Sequence, residues 1–284
     1  MASDLVSAIV PRLAAIHGVR AIALGGSYAR GTQLPDSDID LGLYYGEKSP
    51  FSVDALRRLA EEINDEPGPV VTGFGRWGRW VNGGAWLVVK GQRLDLLYRS
   101  IDALERTIEE CRQGRFESDY YQQPPYGFHS YVYLGELSIC KSLHDPEGVV
   151  AELKGRIIPY PEALKRAVVS RFLWGAEFTL PQAKTFAARG DVYSAAGCMT
   201  RVVSALVQAM YALNERYFVS DKGALHEIER FEKRPPEFSL TVAKCLSLSG
   251  GGDALAKSVR RLDELAQQVV RLCEGIYTRP DFRA

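Results

Sequence analysis

The chain has 284 residues, 46% hydrophobic and 25% charged, which suits one large or two modest globular domains with a sizeable core. Formal net charge is zero, so no global electrostatic attraction to nucleic acid or to a membrane surface is expected. Five scattered cysteines without a C-x-x-C pair exclude a disulfide framework or zinc site, and the lack of a leader or a long apolar run suggests a soluble, cytoplasmic protein.

In chain order, Leu5, Ile9, Leu13 and Ile16 form a helical stripe over 3–16. "VRAIALGG" (19–26) reads as a strand ending in a glycine turn, with a short helix over 27–32 behind it. Pro35 and Asp36 supply turn chemistry before a second strand, "DSDIDLGLYY" (36–45). An amphipathic helix follows at 53–64. "FGRWGRWVNGGAW" (74–86) reads as a strand whose large residues cover a sheet. "GAWLVVKGQRLDLLYRS" (84–100) has the pattern of a hairpin turning at Lys90, Gly91 and Gln92. Residues 101–112 read as a helix, 115–127 as a polar loop, 130–145 as a helix rather than a strand, and 145–148 as a turn.

Beyond residue 150 the strand patterning all but vanishes. Apolar periodicity predicts helices at 161–188, 191–217, 221–231 and 253–276, with breaks at Gly190 and Asp191, Pro235 and Pro236, and the glycines at 250–252. Charge divides along the same line. Residues 1–150 carry 15 Lys and Arg against 20 Asp and Glu, and residues 151–284 carry 20 against 15. The expected fold is α+β, a mixed-sheet domain over 1–150 with its core at about 19–115, followed by an all-α helical bundle over 151–284.

The chemistry concentrates in "LGGSYARGTQLPDSDIDLGLYY" (24–45). Asp is disfavoured in strands, yet Asp38 and Asp40 fall in one, on the same face and about 6.6 Å apart. Ile39 and Leu41 then point into a core. Two ionised carboxylates on one face raise each other's pKa unless a cation intervenes. Hard oxygen ligands in a pair suit Mg²⁺, which shares its shell with substrate phosphates. Asp95, again in an apolar strand, would bring a third acid to the same sheet. Three acids suit one or two Mg²⁺ ions gripping a triphosphate. Gly25 and Gly26 allow a sharp turn and a close approach of backbone to ligand. Ser27, opening the short helix, would present its hydroxyl and free N–H groups to phosphate.

The stretch "GGSYARGT…SDIDL" resembles the signature of the DNA polymerase β-like nucleotidyltransferase superfamily, in its small-molecule branch with the kanamycin and lincosamide nucleotidyltransferases. Gly26, Ser27, Asp38, Asp40 and Asp95 match that pattern position by position. The motif likeness covers about 19–45 and 86–98, and "ALNERYFVSDKGALHEIERF" (212–231) is more weakly similar to the helical domain attached to several such enzymes. The resemblance implies a nucleotidyltransferase domain with Asp38, Asp40 and Asp95 on Mg²⁺, and Gly26 and Ser27 at a nucleoside triphosphate. The implied reaction passes a nucleoside monophosphate to the hydroxyl of a small-molecule acceptor and releases pyrophosphate. Arg30 is a further candidate for phosphate, against the reading of an exposed helix arginine. A general base is also needed. Asp95 could serve, and so could Glu136 in "YLGELSICK", since some relatives place a base glutamate in the second domain; a surface helix glutamate is the competing reading. Lys222 and Asn214 have ordinary structural readings beside the functional ones.

Two other functions stay open on sequence. One is an antitoxin-type enzyme modifying a protein, against which the fused helical segment argues. The other is a non-catalytic nucleotide-binding module, which the complete acids at 38, 40 and 95 disfavour. The oligomeric state stays open, a homodimer included.

Overall fold

Ile39, Leu41, Leu43 and Tyr45 alternate along one strand, and all four are buried in a single apolar cluster. That alternation sets the faces of the sheet around which the N-terminal part is built. The structure, a computed structural model, describes residues 2–247 and 252–279. Two units emerge. The first runs to Glu110 and includes Glu117–Gln123 and Gly127–Pro159. The second comprises Cys111–Phe116, Pro124–Tyr126 and the chain from Tyr160 on.

The first unit opens with α1 (Ala2–Ala14), β1 (Ala21–Leu24), α2 (Gly26–Arg30), β2 (Ile39–Tyr45) and α3 (Val53–Ile63). Next come β3 (Val70–Val71), α4 (Gly78–Val81), β4 (Gly84–Val89), β5 (Gln92–Ser100) and α5 (Ile101–Arg112), whose last two residues belong to the second unit. A short ribbon, β6 (Ser118–Asp119) with β7 (Phe128–His129), precedes α6 (Val132–Ile139), β8 (Lys141–His144) and α7 (Val149–Arg156). Six strands form one sheet in the order β3-β4-β5-β2-β1-β8. Its neighbours are antiparallel except β2 and β5, which run parallel with Asp40 opposite Asp95.

One face of this sheet is a core. Leu41, Leu43 and Leu96 are fully buried there with Leu94 and Tyr98, and Leu5, Ile9 and Leu13 of α1 and Leu56 and Leu59 of α3 complete the cluster. Each such side chain stabilises the fold by about 1.5–3 kcal/mol relative to exposure. Ser52 caps α3 by accepting from Ala55 N at 3.1 Å. The β4–β5 hairpin turns at Lys90 (φ 53°) and Gly91 (φ 75°), the positive φ pair that matches strand twist. Asp65 clips the turn, accepting from Lys90 N at 2.8 Å and Gly91 N at 2.7 Å.

Several expectations need correction here. The second strand begins at Ile39, not Asp36, because residues 34–37 are held in a turn: Ser37 N donates to Leu34 O and Ser37 Oγ accepts from Leu34 N. The aromatic stretch 74–83 is no strand but turns and the short α4, and only β4 continues the ladder. Residues 130–145 divide into a helix and an edge strand, α6 and β8. The loop at 115–127 contributes β6 to the ribbon.

The second unit is helical, with α8 (Glu162–Ala188), α9 (Val192–Leu213), α10 (Ala224–Ile228), α11 (Phe238–Leu246) and α12 (Gly252–Leu272). Asp191 caps α9, accepting from Ser194 N at 3.1 Å. Helix α9 is buried along nearly its whole second half and packs against α8 and α12. By length and composition it could span a membrane, but most of that stretch is buried inside the protein, as in a core helix. Helix α11, in the stretch after Pro235 and Pro236 that the periodicity left unassigned, is an addition to the sequence reading. The expected break at 250–252 falls largely outside the described residues. The α+β class holds: a mixed sheet with its helices, then a helical region.

Candidate active site

The glycine turn is shaped by the carboxylate beside it. Strand β1 ends at Leu24, and Gly25 N donates to Asp40 O at 2.8 Å. Gly26 has φ +58°, and a Cβ on it would lie 1.8 Å from Asp40 Oδ2. No L side chain fits there, so Gly26 and Asp40 form one unit. Ser27 is the second residue of α2 and Arg30 its last. The helix stops at Gly31, whose N–H donates to Ser27 O.

Asp40 and Asp95 are direct partners in the parallel β2–β5 ladder, on strands about 4.8 Å apart. Their neighbours Ile39, Leu41, Leu94 and Leu96 are core residues, so both carboxylates stand on the opposite face. Burial raises the Asp40 carboxyl to about 6, helped by the charges of Asp95, Asp38 and Glu136. Burial likewise raises Asp95 to about 6, with Asp38 adding to it and Arg93 opposing. Half-burial and neighbouring acids therefore both disfavour the ionised form here, with Arg99 and Arg93 compensating in part.

Asp38 stands one residue before β2 rather than within it. Arg93 Nε approaches its Oδ1 to 2.5 Å, while that buried oxygen accepts no hydrogen bond, so the contact is an ion pair of poor hydrogen-bonding geometry. Arg93 also donates to Asp36 O at 2.9 Å. Among the described residues no group of three or more His, Cys, Asp or Glu side chains is arranged to hold a metal ion. Two carboxylates nonetheless suffice for Mg²⁺, which completes its shell with water and substrate phosphate. The half-buried Asp40–Asp95 pair, with the orphaned Asp38 oxygen beside it, fits such an ion.

Glu136 lies in α6 within electrostatic reach of Asp40, but its carboxylate is engaged. Arg99 donates to it twice, Nε to Oε2 at 2.7 Å and Nη2 to Oε1 at 2.9 Å. Arg99 is 6% exposed. Burial works against its charge, yet Glu136 more than offsets this and holds the guanidinium firmly protonated. Sequence reasoning passed over Arg99. The available signal was its position four residues after Asp95, which places both on one face of β5. In the helical unit, Asn214 is a structural polar group, its Nδ2 donating to Met210 O and Lys233 O and its Oδ1 accepting from Lys233 N. Lys222 is exposed.

The structure thus brings Gly26, Asp40, Asp95, Arg99 and Glu136 together on one face of the sheet, with Asp38 at its rim. Comparisons with known proteins bear on this arrangement. The nucleotidyltransferase domain family matches residues 6–72, a span that includes the glycine turn, Asp38 and Asp40 but stops short of Asp95. A domain of unknown function, DUF4037, matches residues 133–223. No curated protein matches the chain. Among solved structures it is similar to a nucleotidyltransferase-like protein from Exiguobacterium sibiricum 255-15. The identity is 11% and the TM-score 0.47, over 95% of this chain and 76% of that one. The family match is thus confined to residues 6–72, the segment that carries the glycine turn, Asp38 and Asp40.

Proposed function

We propose that the protein transfers a nucleoside monophosphate from a nucleoside triphosphate to the hydroxyl of a small-molecule acceptor, with Mg²⁺ and release of pyrophosphate. The observation that carries this reading is the Asp40–Asp95 pair, two half-buried carboxyls side by side on adjacent strands and raised to about 6, chiefly by burial. Asp40 and Asp95, joined by Asp38 once Arg93 is displaced, would hold the ion. When bound, Mg²⁺ neutralises the charge of the phosphates and of the carboxylates that face them.

The protein's own groups account for the remaining steps. Gly26 and the start of α2 offer backbone N–H groups to the phosphates next to Asp40. The acceptor oxygen bonds to the α-phosphorus as the bond to the β-phosphate oxygen breaks, and pyrophosphate leaves. Asp95, an ionised carboxylate facing the acceptor side, takes the proton from the acceptor hydroxyl. Glu136 has both oxygens on Arg99, so we assign that pair to positioning and leave the base to Asp95.

The test is calorimetry with each of four nucleoside triphosphates, with and without Mg²⁺, alongside pyrophosphate release over a panel of acceptors. Asp38→Asn and Asp40→Asn should lose Mg²⁺-dependent nucleotide binding. Asp95→Asn should bind several-fold more weakly and lower transfer by about 10²–10⁴-fold or beyond detection. Wild-type binding in both of the first two variants would overturn the metal assignment, and unchanged transfer in the third would remove Asp95 from the site.

A further inference from the structure

The aromatic residues at 77 and 86 play no part in the chemistry above, yet they adjoin it. Trp86 on β4 is the register partner of Asp95. Ala85 and Leu87, flanking it, are core residues, so the indole stands on the same face as the carboxylates. It is 54% exposed, although burying such a ring is worth a few kcal/mol. Trp77 stacks on it, with ring centroids 4.8 Å apart and planes at 23°.

The stack is built into the fold. Gly84 precedes Trp86 on that face, where a Cβ would meet Leu96 O at 2.1 Å and the Trp77 ring at 2.5 Å. Gln122 holds the adjoining turn, its Nε2 donating to Trp77 O at 3.2 Å and its Oε1 accepting from Trp80 N at 3.3 Å. The strand order β1, β2, β5, β4 places the glycine turn, Asp40, Asp95 and Trp86 in succession, at steps of about 4.8 Å.

With pyrophosphate leaving on the glycine-turn side, an in-line displacement puts the attacking oxygen on the other side of the phosphorus. That side is Asp95 and β4. Cross-strand partners have Cβ atoms about 4.5–5.5 Å apart, so a ring stacked on Trp86 lies next to the Asp95 carboxylate, within reach of a hydroxyl that the ring carries. We infer that Trp86, backed by Trp77, is the acceptor platform, and that the reacting hydroxyl is carried on the ring that stacks there. This inference rests on the function proposed above.

The experiment uses the full-length protein with a labelled nucleoside triphosphate that calorimetry shows it binds. Ring alcohols (methyl glucoside, inositol and kanamycin) are compared with the open-chain sorbitol and glycerol. Ring alcohols should be labelled and open-chain ones should not. Trp86→Ala should raise the acceptor KM about tenfold or more, as the lost burial of one ring face against the indole implies, while the nucleotide Kd stays unchanged. Trp86→Phe should recover most of that loss. Circular dichroism checks that the variants fold, which the exposure of Trp86 favours. An unchanged acceptor KM in Trp86→Ala, equal labelling of open-chain alcohols, or no labelled ring alcohol despite nucleotide binding would overturn the platform. A wild-type protein that binds no nucleoside triphosphate overturns the function and this inference with it.

Discussion

The two faces of the six-stranded sheet are made by the same strands and differ in almost every physical respect. On one, Ile39, Leu41, Leu94, Leu96 and Tyr98 are buried at 0–1% exposure in apolar surroundings. On the other, one residue along each time, stand Asp40 and Asp95, two carboxyls held side by side against their repulsion, with the Arg99 guanidinium on the same face. The first face is stabilised by burial, and the second is held in place by it. A carboxylate pair that repels itself needs strands fixed by something else, and alternation puts that something one residue away.

The sharpest test of this division compares neighbours in sequence. Leu96→Ala should cost about 2–5 kcal/mol of stability and change transfer only through the folded fraction. Asp95→Asn should leave the urea midpoint no lower while transfer collapses. If Asp95→Asn unfolds the protein, or Leu96→Ala melts like wild type, the two faces are not separable in this way. Gly26→Ala probes the junction between them. Its Cβ meets Asp40 Oδ2, and its φ of +58° is itself unfavourable for alanine. A loss of about 1–3 kcal/mol should come with weakened nucleotide binding as Asp40 is displaced. A stability loss with nucleotide affinity intact would show that Asp40 is not held by the turn.

The remaining effect runs in the opposite direction. Asp40 in the folded, metal-free protein has its carboxyl raised from 3.8 to about 6. The folded state therefore binds that proton more tightly than the unfolded state, and stability is lost as pH rises from about 4 through 6. In chelator at pH 7, Asp40→Asn should be more stable than wild type by about 1–3 kcal/mol. The gap should close by pH 4, as denaturant melts at the two pH values would show. An equal gap at both would mean that the gain is not electrostatic.

Much of this was legible in the chain itself. Asp40 and Asp95 could be placed because each sits between apolar residues in a strand, a pattern with few other causes. Gly26 was legible as a turn, but not its reason, since the clash with Asp40 arises only when two strands are laid side by side. Asp38 was read as a strand residue because the turn at 34–37 depends on Ser37 bonding back to Leu34, a contact that periodicity does not register. Arg99 escaped because an arginine in a strand ordinarily reads as a solvent-facing residue, and its burial depends on Glu136 from a distant helix. Strand β8 was hidden by composition. Lys141, Ser142, Leu143 and His144 lack β-branched residues, and the strand is an edge paired with β1 alone.

The parallel register of β2 and β5 also bears on how the chain folds. The β4–β5 hairpin closes through a tight turn, an event of microseconds in isolated hairpins. Asp40 and Asp95 are separated in the chain by α3, β3, α4 and β4, and their ladder requires the closure of a long loop, which is entropically costly and slow. The two carboxylates meet only when that closure completes, so their repulsion opposes the same step that joins the two halves of the sheet. Divalent cations present during refolding should therefore speed that step and not the hairpin. An intermediate with its hairpin formed but this ladder still open would hold every residue of the candidate site while its acids titrate as ordinary carboxylates.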